Sequence, residues 1–417
     1  MNIGEISESV DLNHNSRWLD RFARSQVLKQ LKKIIHGELV WRDAEGEYFF
    51  GSLTERCHHR VTVTVSHQRT YADIAFGGSV GAGEAFMAGD WQCSNLTQFI
   101  ELMICNHEII DDMDASISPL KTLALKGFHW LNRNTHKGSK RNIEAHYDLG
   151  NGLFELFLDP SMMYSCAYYP DASTTLAQAS ELKLKMVCEK LALQPSDHLL
   201  EIGTGWGGMA IYAAKHYGCR VTTTTLSEEQ YSLAIARIAE AGLQHRITVL
   251  KKDYRDLTGE YDKLVSIEMI EAIGAQYLDT YFAKCASLLK ADGLMVLQAI
   301  TIVDQRYKAA LKSVDFIKRH IFPGCFIPAI TPMVDSIARA SDMKLVHLQD
   351  IGPHYARTLA DWRSRFLHHL ERVQKLGYSA QFIRKWLFYF GYCEAGFSQR
   401  VLGDVQMVLA KPGNRRF

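Results

Sequence analysis

The sequence has no excess of charge of either sign. Its 47 lysines and arginines stand against 46 aspartates and glutamates, for a net charge of +1. A chain balanced in this way has no overall field that attracts it to nucleic acid or to an anionic membrane, so any such attraction must be local. We therefore expect no nucleic-acid partner.

Paired cysteines and long apolar runs are also missing. The nine cysteines form neither a C-x-x-C pair nor a cysteine–histidine cluster. This spacing predicts no metal site and indicates a reducing cytoplasm. No apolar run reaches the ~20 residues of a membrane-spanning helix. Residues 1–18 include acidic residues and no apolar segment, so we expect no secretory signal peptide.

With 417 residues, 47% of them hydrophobic, the chain is long enough for two folded domains. We predict an N-terminal domain over 1–118, a polar and basic linker over 119–141, and a second domain over 142–417. The segment 119–141 precedes a clear change to alternating strands and helices.

The N-terminal domain begins with a helical pattern over 17–41. Basic side chains stand between its apolar ones, which are Leu19, Phe22, Leu31, Ile34 and Ile35. The basic residues are Arg17, Arg21, Arg24, Lys29, Lys32 and Lys33. Such a helix either lies on an anionic membrane or packs on its own domain with a solvated basic face. Both interpretations stay open.

The rest of this domain has an α+β pattern. Alternation predicts strands over 61–65 and 71–76, and the glycine-rich stretch 77–91 predicts turns around a short helix. A further helix is predicted over 96–106. The glycines of 77–91 do not follow the layout of a phosphate-binding loop, so we interpret them as structural.

The second domain alternates buried strands with helices. The predicted strands cover 198–203, 219–225, 261–268 and 293–302. This order predicts a parallel, doubly wound α/β sheet of the Rossmann-like kind. Residues 304–417 are mostly helical and aromatic, and predict a helical cap over the sheet that ends in a strand at 405–410.

A glycine-rich turn, E-I-G-T-G-W-G-G at 201–208, joins the first of these strands to a helix. Its spacing suits either a dinucleotide or S-adenosylmethionine. The second strand ends in T-L-S-E-E-Q at 225–230, with no acidic residue at its tip for the ribose of NAD. A further predicted strand, V-L-K-K-D at 249–253, ends at Asp253 and is followed by Tyr254, where an adenine ring could stack. These loops together favour S-adenosylmethionine.

Several motifs resemble those of the cyclopropane-fatty-acyl-phospholipid synthases and the related mycolic acid cyclopropane synthases. They are HYDLGNGLFELFLDPSMMYSCAYYPD at 146–171, EIGTGWGG, TLSEEQ, KDYRDL, SIEMIEAIG and HIFPGC. The resemblance runs from about 146 to the end and is weaker before it, where it rests on GEAFMAGDW. It implies a class I methyltransferase fold with a helical cap.

The implied activity is transfer of a methyl group from S-adenosylmethionine to the double bond of an acyl chain in membrane phospholipid. The protein would then be cytoplasmic and peripherally bound to the inner face of the membrane, through a lipid-docking N-terminal domain. A homodimer stays open.

The resemblance assigns the methyl donor to the following residues: Tyr164, Ser165, Leu199, Leu200, Glu201, Ile202, Gly203, Thr204, Gly205, Trp206, Gly207, Thr225, Leu226, Ser227, Gln230, Tyr254 and Arg255. Aromatic rings such as Tyr164 would attract the sulfonium without attacking it.

The resemblance also implies a bound bicarbonate ion as the base that removes a proton after methyl transfer. Its ligands would be the Cys166 backbone, Glu271, Ile300 and Tyr355, with His146 nearby. Gln298 stands where many family members have a histidine. Glu268 stands where a glycine is common, and Ala272 where a histidine is common. These departures leave ring closure, a methyl branch and an exo-methylene group open as products.

Cys393, in FYFGYCEAGF, matches a cysteine sometimes assigned to catalysis in this family. Its apolar surroundings favour a cysteine buried in the core. Two other functions were weighed. A methyltransferase for a soluble small molecule, as in some plant amine N-methyltransferases, is disfavoured by the long N-terminal region. A lipid carrier with a decayed site is disfavoured by the intact glycine loop, Glu271 and Tyr355.

Overall fold

The computed structural model describes residues 18–107, 109 and 150–416. These residues form two compact units. The first contains the described residues up to 109, with Val314–Ile321 and His369–Gln399. The second contains 150–313, Phe322–His368 and 400–416. The predicted boundaries near 118 and 142 and the linker 119–141 lie outside the described residues, so they stay predictions.

Strands and helices of the described residues are numbered in chain order. The strands are β1 Glu38–Asp43, β2 Gly46–Phe50, β3 Arg60–Val65, β4 Trp91–Cys93, β5 His198–Ile202, β6 Arg220–Thr224, β7 Ile247–Leu250, β8 Tyr261–Ile267, β9 Leu289–Ile302, β10 Lys344–Asp350 and β11 Leu402–Ala410. The α-helices are α1 Trp18–Leu31, α2 Arg69–Ala88, α3 Leu96–Cys105, α4 Asn151–Phe157, α5 Leu176–Leu191, α6 Gly208–Tyr217, α7 Glu228–Glu240, α8 Leu278–Leu288, α9 Asp304–Lys312, α10 Phe316–His320, α11 Ile330–Ala340, α12 Gly352–His368, α13 Leu370–Lys375 and α14 Ala380–Ser398.

The first unit has a four-stranded sheet in the order β2-β1-β3-β4. The predicted strand over 71–76 is wrong, because α2 covers this segment. The turns and short helix expected within 77–91 are confirmed, since α2 is interrupted by non-helical backbone at Gly78, continues to Ala88 and ends at a left-handed Gly89. Tyr71 and Ile74 are buried at helical spacing. The Tyr71 hydroxyl accepts a hydrogen bond from Trp41 Nε1 at 2.9 Å. At Gly81 a Cβ would lie 1.9 Å from the Asp73 carbonyl oxygen, so this turn of α2 admits only glycine.

Two segments that the sequence placed in a cap over the sheet belong to the first unit. Helix α14 packs there against α2 and α3. Phe388 of α14 lies 5.6 Å from Phe86 of α2 and 4.4 Å from Phe316 of α10, between ring centroids. Gly83 makes room for Phe316, because a Cβ at Gly83 would come within 2.5 Å of that ring. An aromatic core therefore brings these helices into the first unit.

The second unit confirms the predicted α/β class. Its seven-stranded sheet has the order β10-β11-β9-β8-β5-β6-β7. The pairs β8–β9, β5–β8, β5–β6 and β6–β7 are parallel, whereas β11 runs antiparallel to both β9 and β10. The sheet is thus doubly wound with one reversed strand near its edge. Helices cover both faces, and two clusters of buried apolar side chains lie against it.

The carboxyl ends of the parallel strands position the site. Ligands of open α/β sheets bind in the crevice beyond these ends. The predicted C-terminal strand is confirmed as β11, and it adds residues beside the end of β9. Among the described residues, no helix combines the length and the apolar character needed to cross a membrane.

Candidate active site

The glycine loop leaves the end of β5 and leads into α6. Gly203, Gly205 and Gly207 have φ values of +103°, +51° and +86°, which lie in the left-handed region that favours glycine. A Cβ built at Gly205 would have no neighbour within 4 Å. Backbone at Gly205 is therefore open to close approach by a ligand.

Hydrogen bonds to β6 hold this loop in place. The Gly203 and Thr204 backbone N–H groups donate to the Thr224 carbonyl at 3.1 and 3.0 Å. The Thr204 and Thr223 hydroxyls are 2.7 Å apart. Trp206 is fully buried, and its Nε1 donates to Asn151 at 2.7 Å. Of the residues assigned to the methyl donor, Thr204 and Trp206 therefore shape the loop.

The next loop follows β6 and begins α7. The Thr225 hydroxyl donates to Gln230 Oε1 at 2.8 Å, and Ser227 caps the helix by accepting from the Gln230 backbone N–H at 3.2 Å. Leu226 lies between them, half-buried. These bonds make the turn rigid. It lies beside the glycine loop because β5 and β6 are neighbours in the sheet.

After β7, Tyr254 and Arg255 begin a short 3-10 turn. Asp253 and Arg255 form an ion pair of 2.6 Å, and the guanidinium lies 5.6 Å from the Tyr254 ring centroid. Tyr254 is buried, and its hydroxyl has no hydrogen-bond partner in the structure. Burial raises the pKa of this phenol, so it stays a neutral donor. A buried hydroxyl without a partner suits a polar ligand group.

An aromatic cluster surrounds Tyr164 on the same side of the sheet. Its ring centroid lies 5.4 Å from that of Phe154 and 5.2 Å from that of Trp362. Phe154 also contacts Trp206 of the glycine loop, at 4.8 Å. The neighbouring Ser165 hydroxyl accepts a hydrogen bond from Lys183 Nζ at 2.7 Å. Tyr164 and Ser165 are thus joined to the glycine loop through Phe154.

A carboxylate stands at the centre of the residues that were expected to bind bicarbonate. Glu268 follows β8, and its Oε1 accepts hydrogen bonds from the Cys166 backbone N–H and from Gln298 Nε2, both at 2.8 Å. Its Oε2 accepts from the Tyr355 hydroxyl at 2.6 Å. The structure therefore brings Cys166, Gln298 and Tyr355 together, around Glu268.

Glu271 lies in the short 3-10 turn after Glu268. Its Oε1 accepts from the Ile300 backbone N–H at 2.6 Å, while its Oε2 is inaccessible to solvent and has no hydrogen-bond partner in the structure. Burial raises the pKa of Glu271 to about 8, and the charge of Glu268 adds to this rise. The resemblance assigns both Glu271 and Ile300 to bicarbonate, whereas here they pair with each other, with a neutral acid as acceptor at pH 7.

Two buried residues of this cluster were missed by the sequence analysis. Asp404 of β11 lies 3.3 Å from Gln298 Nε2, and burial together with Glu268 raises its pKa well above the usual range. Lys183 of α5 is fully buried, and burial lowers its pKa. Helical spacing could have found Lys183, which shares the buried face of α5 with Ser180 and Val187. Asp404 directly precedes the predicted strand 405–410, and its buried neighbours come from other segments.

The side chains of the remaining residues assigned to the methyl donor, those of β5, are buried inside the second unit. Glu201 is buried in β5, and burial raises its pKa to about 8. The side chains of Leu199, Leu200 and Ile202 belong to the apolar clusters on the two faces of the sheet. Only their backbone atoms could meet a ligand.

His146 lies outside the described residues. Cys393 lies half-buried on α14 of the first unit, and it is not among the residues that the second unit brings together. Burial raises the pKa of Cys166 well above that of a free thiol, so its contribution is its backbone N–H. Within residues 18–107 and 150–416, no histidine, cysteine and acidic side chains group as metal ligands.

Comparison with known sequences bears on this geometry. The profile of the family described as mycolic acid cyclopropane synthetase matches residues 134–407. Tuberculostearic acid methyltransferase of Mycobacterium tuberculosis is 36% identical over 354 residues, covering 81% of this chain and 80% of the relative. Cyclopropane-fatty-acyl-phospholipid synthase of Escherichia coli is 36% identical over 344 residues, covering 80% of this chain and 84% of the relative.

Solved structures agree with the fold. A mycolic acid cyclopropane synthase complexed with SAH and CTAB is similar to this chain, with a TM-score of 0.61 and 30% identity. The similarity covers 65% of this chain and 98% of that one. The sequence profile matches the part of the chain that holds the glycine loop and the carboxylate cluster.

Proposed function

The chain belongs to the mycolic acid cyclopropane synthetase family of S-adenosylmethionine-dependent methyltransferases, and on that premise we propose that it methylates the double bond of an unsaturated acyl chain in membrane phospholipid. When bound, S-adenosylmethionine supplies an electrophilic methyl group on a sulfonium centre. The residues that would hold it are those of the glycine loop, the turn at Thr225–Gln230, and Tyr254.

One observation carries this proposal. The segment from Tyr164 to Cys166 connects two halves of a site at the carboxyl ends of the strands. Tyr164 belongs to the aromatic cluster that reaches the glycine loop, and the Cys166 N–H donates to Glu268. The short segment from Tyr164 to Cys166 thus links a methyl-donor site, with open backbone at Gly205, to a proton acceptor.

This arrangement suits a weak nucleophile such as an alkene. Aromatic rings near Tyr164 would exclude water and attract positive charge without reacting with it. The bonds that hold Thr204 and Thr225 keep the loop in one position, which favours in-line transfer. The carboxylate cluster would stabilise the positive charge left on the acyl chain after methyl transfer and remove a proton from it.

The possible products differ in whether the methylated cation loses a proton or gains a hydride. Loss of a proton from the methylated cation gives either a cyclopropane ring or an exo-methylene group. A saturated methyl branch also needs a hydride, which a separate reductant would have to supply. We therefore propose the ring as the main product, with the exo-methylene chain and, after reduction, the methyl-branched chain as alternatives. A soluble small-molecule substrate is the other alternative, and no observation in the site favours it.

Access to lipid is proposed to run through the first unit. Phe22 and Ile35 on and after α1 are 50% and 64% exposed. Basic side chains at Arg21, Lys29 and Lys32 are exposed beside them. Exposed apolar side chains next to exposed cations suit the surface of an anionic bilayer. This supports the proposal of a peripheral protein on the cytoplasmic face of the membrane.

Mass spectrometry of lipids tests the function. Extracts from cells with and without this protein should differ by phospholipids whose acyl chains have gained one CH2 group. Fragmentation of these chains should show a ring or an exo-methylene group at the former double bond. Identical lipid profiles, together with no methyl transfer to phospholipid vesicles by purified protein, would contradict the proposal.

A further inference from the structure

We propose that the carboxylate of Glu268 is the proton acceptor of this reaction, in the place that the family resemblance assigns to bicarbonate. The proposal rests on the proposed function, because it concerns the step that follows methyl transfer. It differs from the family expectation in the identity of the base, which here would be part of the chain.

The hydrogen bonds of Glu268 are those expected of a bound anion. Donors come from three distant segments, at Cys166, Gln298 and Tyr355, and all three meet the two oxygens of one carboxylate. Two of them, the Cys166 N–H and the Tyr355 hydroxyl, are groups that the resemblance assigns to bicarbonate. A carboxylate that accepts three hydrogen bonds is held in one orientation and has the oxygen atoms of a bicarbonate ion.

The backbone at Glu268 also favours a functional role. Its φ is +48°, and it is one of four non-glycine residues with positive φ in the described part of the chain. Family members commonly have glycine here, which adopts this conformation without cost. A glutamate at this position keeps a strained backbone, and such strain collects at functional sites. The three hydrogen bonds would offset that cost.

In the described part of the chain, Glu268 already occupies two of the donors that a bicarbonate ion would use. The Cys166 N–H and the Tyr355 hydroxyl have one hydrogen each, and both donate to Glu268. A second anion would lack these donors and would place another negative charge next to a carboxylate that is already half-buried. Burying an uncompensated charge is unfavourable. Three groups expected to bind the ion, the Cys166 N–H, the Ile300 N–H and the Tyr355 hydroxyl, thus donate to a carboxyl side chain instead.

Glu268 can reach a substrate because it is the exposed member of its cluster. Gln298 is fully buried and Tyr355 is 5% exposed, whereas Glu268 is half-buried. After methyl transfer, the acyl chain is a carbocation. One proton passes from it to a Glu268 oxygen, and the electron pair of the broken C–H bond closes the ring or forms a double bond. The step balances without an oxidant or a reductant.

Turnover with and without bicarbonate tests the proposal. Wild-type turnover should be equal in bicarbonate-depleted and bicarbonate-supplemented buffer. Glu268→Gln should lower turnover by roughly 100-fold in both buffers, because an amide cannot accept the proton. Glu268→Gly should be as slow without bicarbonate and at least about ten-fold faster with it, since the three donors become free for the ion.

A binding measurement supplies a readout that does not depend on activity. Isotope-labelled bicarbonate, followed by carbon NMR, should bind to Glu268→Gly and not to the wild type. Ala192→Gly is the matched control, because Ala192 also has a positive φ, of 51°, at the end of α5. It relieves the same kind of strain and should leave turnover and bicarbonate binding at wild-type values.

Three results would overturn the proposal: wild-type turnover that requires bicarbonate, binding of labelled bicarbonate to the wild type, or full activity of Glu268→Gln. These results differ from a failure of the proposed function. If the wild type transfers no methyl group to lipid, the function is wrong, whereas the NMR comparison still reports whether Glu268 fills the anion position.

Discussion

Two charged regions of this protein, the cluster at Glu268 in the second unit and the exposed basic side chains of α1 in the first, treat charge in opposite ways. In the second unit, Glu268, Asp404 and Lys183 come from three segments and lie together, Glu268 half-buried and the other two fully buried, and each forms hydrogen bonds to neighbours. In the first unit, Arg21 and Lys32 stay exposed beside apolar side chains that are also exposed. Buried charge suits chemistry, because each interaction is strong there, whereas exposed charge suits reversible attraction to a surface.

This contrast separates two kinds of effect. Substitutions in the second unit should change binding of the methyl donor or turnover and leave attachment to lipid unchanged. Substitutions on the surface of the first unit should change attachment to lipid and leave turnover on soluble substrates unchanged. A variant of one unit that changes the property assigned to the other unit would contradict this comparison.

The largest effect is expected at Gly205. A valine there should weaken binding of S-adenosylhomocysteine by at least about 100-fold, because its side chain would occupy the open space beside the backbone and strain a φ of +51°. Isothermal titration calorimetry measures this affinity. If S-adenosylhomocysteine still binds with wild-type affinity, the methyl donor does not lie against this loop.

Gly242→Val is the control for that variant. Gly242 has a φ of +69° and also has no neighbour within 4 Å of an added Cβ, but it lies on the surface after α7. The same backbone strain should lower stability in both variants, while only Gly205→Val should lose the ligand. Equal loss in both would point to general damage of the second unit.

A smaller effect is expected at Tyr355. Tyr355→Phe should lower turnover by roughly ten-fold or more, because it removes the hydrogen bond of 2.6 Å that orients the Glu268 carboxylate. Affinity for S-adenosylhomocysteine should stay the same, so the loss appears in kcat. Steady-state kinetics with phospholipid vesicles measures both.

Tyr169→Phe provides the matched change. Tyr169 is 5% exposed, and its hydroxyl donates to the carboxylate of Asp361 at 2.8 Å, away from Glu268. It should cost stability without a comparable loss of turnover. Similar losses in the two variants would mean that the Tyr355 bond is structural.

The two clusters of the second unit differ in how far the sequence predicts them. The glycine loop is local: Gly203, Gly205 and Gly207 stand in one turn, and their order indicates both the turn and a nucleotide-type ligand. The cluster at Glu268 is not local, since Cys166 is 102 positions away and Tyr355 is 87. The sequence marked Glu268 as a departure from the family, but no spacing indicates that three donors converge on it.

Buried carboxyl groups in the second unit should make stability depend on pH. The pKa of Glu201 is raised from 4.5 to about 8 by burial. A raised folded-state pKa means that the native protein binds the proton more tightly than the unfolded chain. The contribution of Glu201 to stability is therefore greatest below pH 4.5 and is lost as the pH rises towards about 8. Glu201→Gln should reduce the loss of unfolding free energy between pH 4.5 and about pH 8 by at least about 1 kcal/mol.

Denaturant unfolding at a series of pH values, without ligand, measures this effect. Glu240→Gln, at an exposed position of α7, is the control and should leave the slope unchanged. Glu271 has a pKa of about 8 as well, so part of the slope should remain in Glu201→Gln. An unchanged slope in that variant would mean that Glu201 meets a partner charge in the folded protein.

In the first unit, the sequence predicted a helix near the N-terminus but could not distinguish its paired basic residues from its exposed ones. Arg24 appeared equivalent to Arg21, yet its guanidinium is 2.7 Å from Asp43 and its Nη2 donates to the Tyr48 hydroxyl at 2.6 Å. Helical periodicity carries no information about Asp43, which comes from β1. The sequence also did not show which apolar positions are buried: Leu31 and Ile34 are buried, whereas Phe22 and Ile35 are exposed.

The smallest effect is therefore expected from the exposed cations, with Arg24 left in place. The double variant Arg21→Gln and Lys32→Gln should weaken binding to anionic phospholipid vesicles several-fold at low salt. Each such charge contributes up to roughly 1 kcal/mol near an anionic surface, and salt screens it within about a Debye length. Vesicle sedimentation across a salt series measures the change, which should nearly vanish at high salt.

The control removes two charges that are already paired. Arg42 and Arg60 form ion pairs with Glu47 and Glu38, so replacing both arginines with glutamine should alter vesicle binding less than the first variant does. Turnover on short, soluble acyl substrates should be the same in both variants, because the second unit is untouched. Unchanged sedimentation of the Arg21 and Lys32 variant at low salt would mean that α1 only packs on its own unit, and its exposed basic side chains would then serve solubility alone.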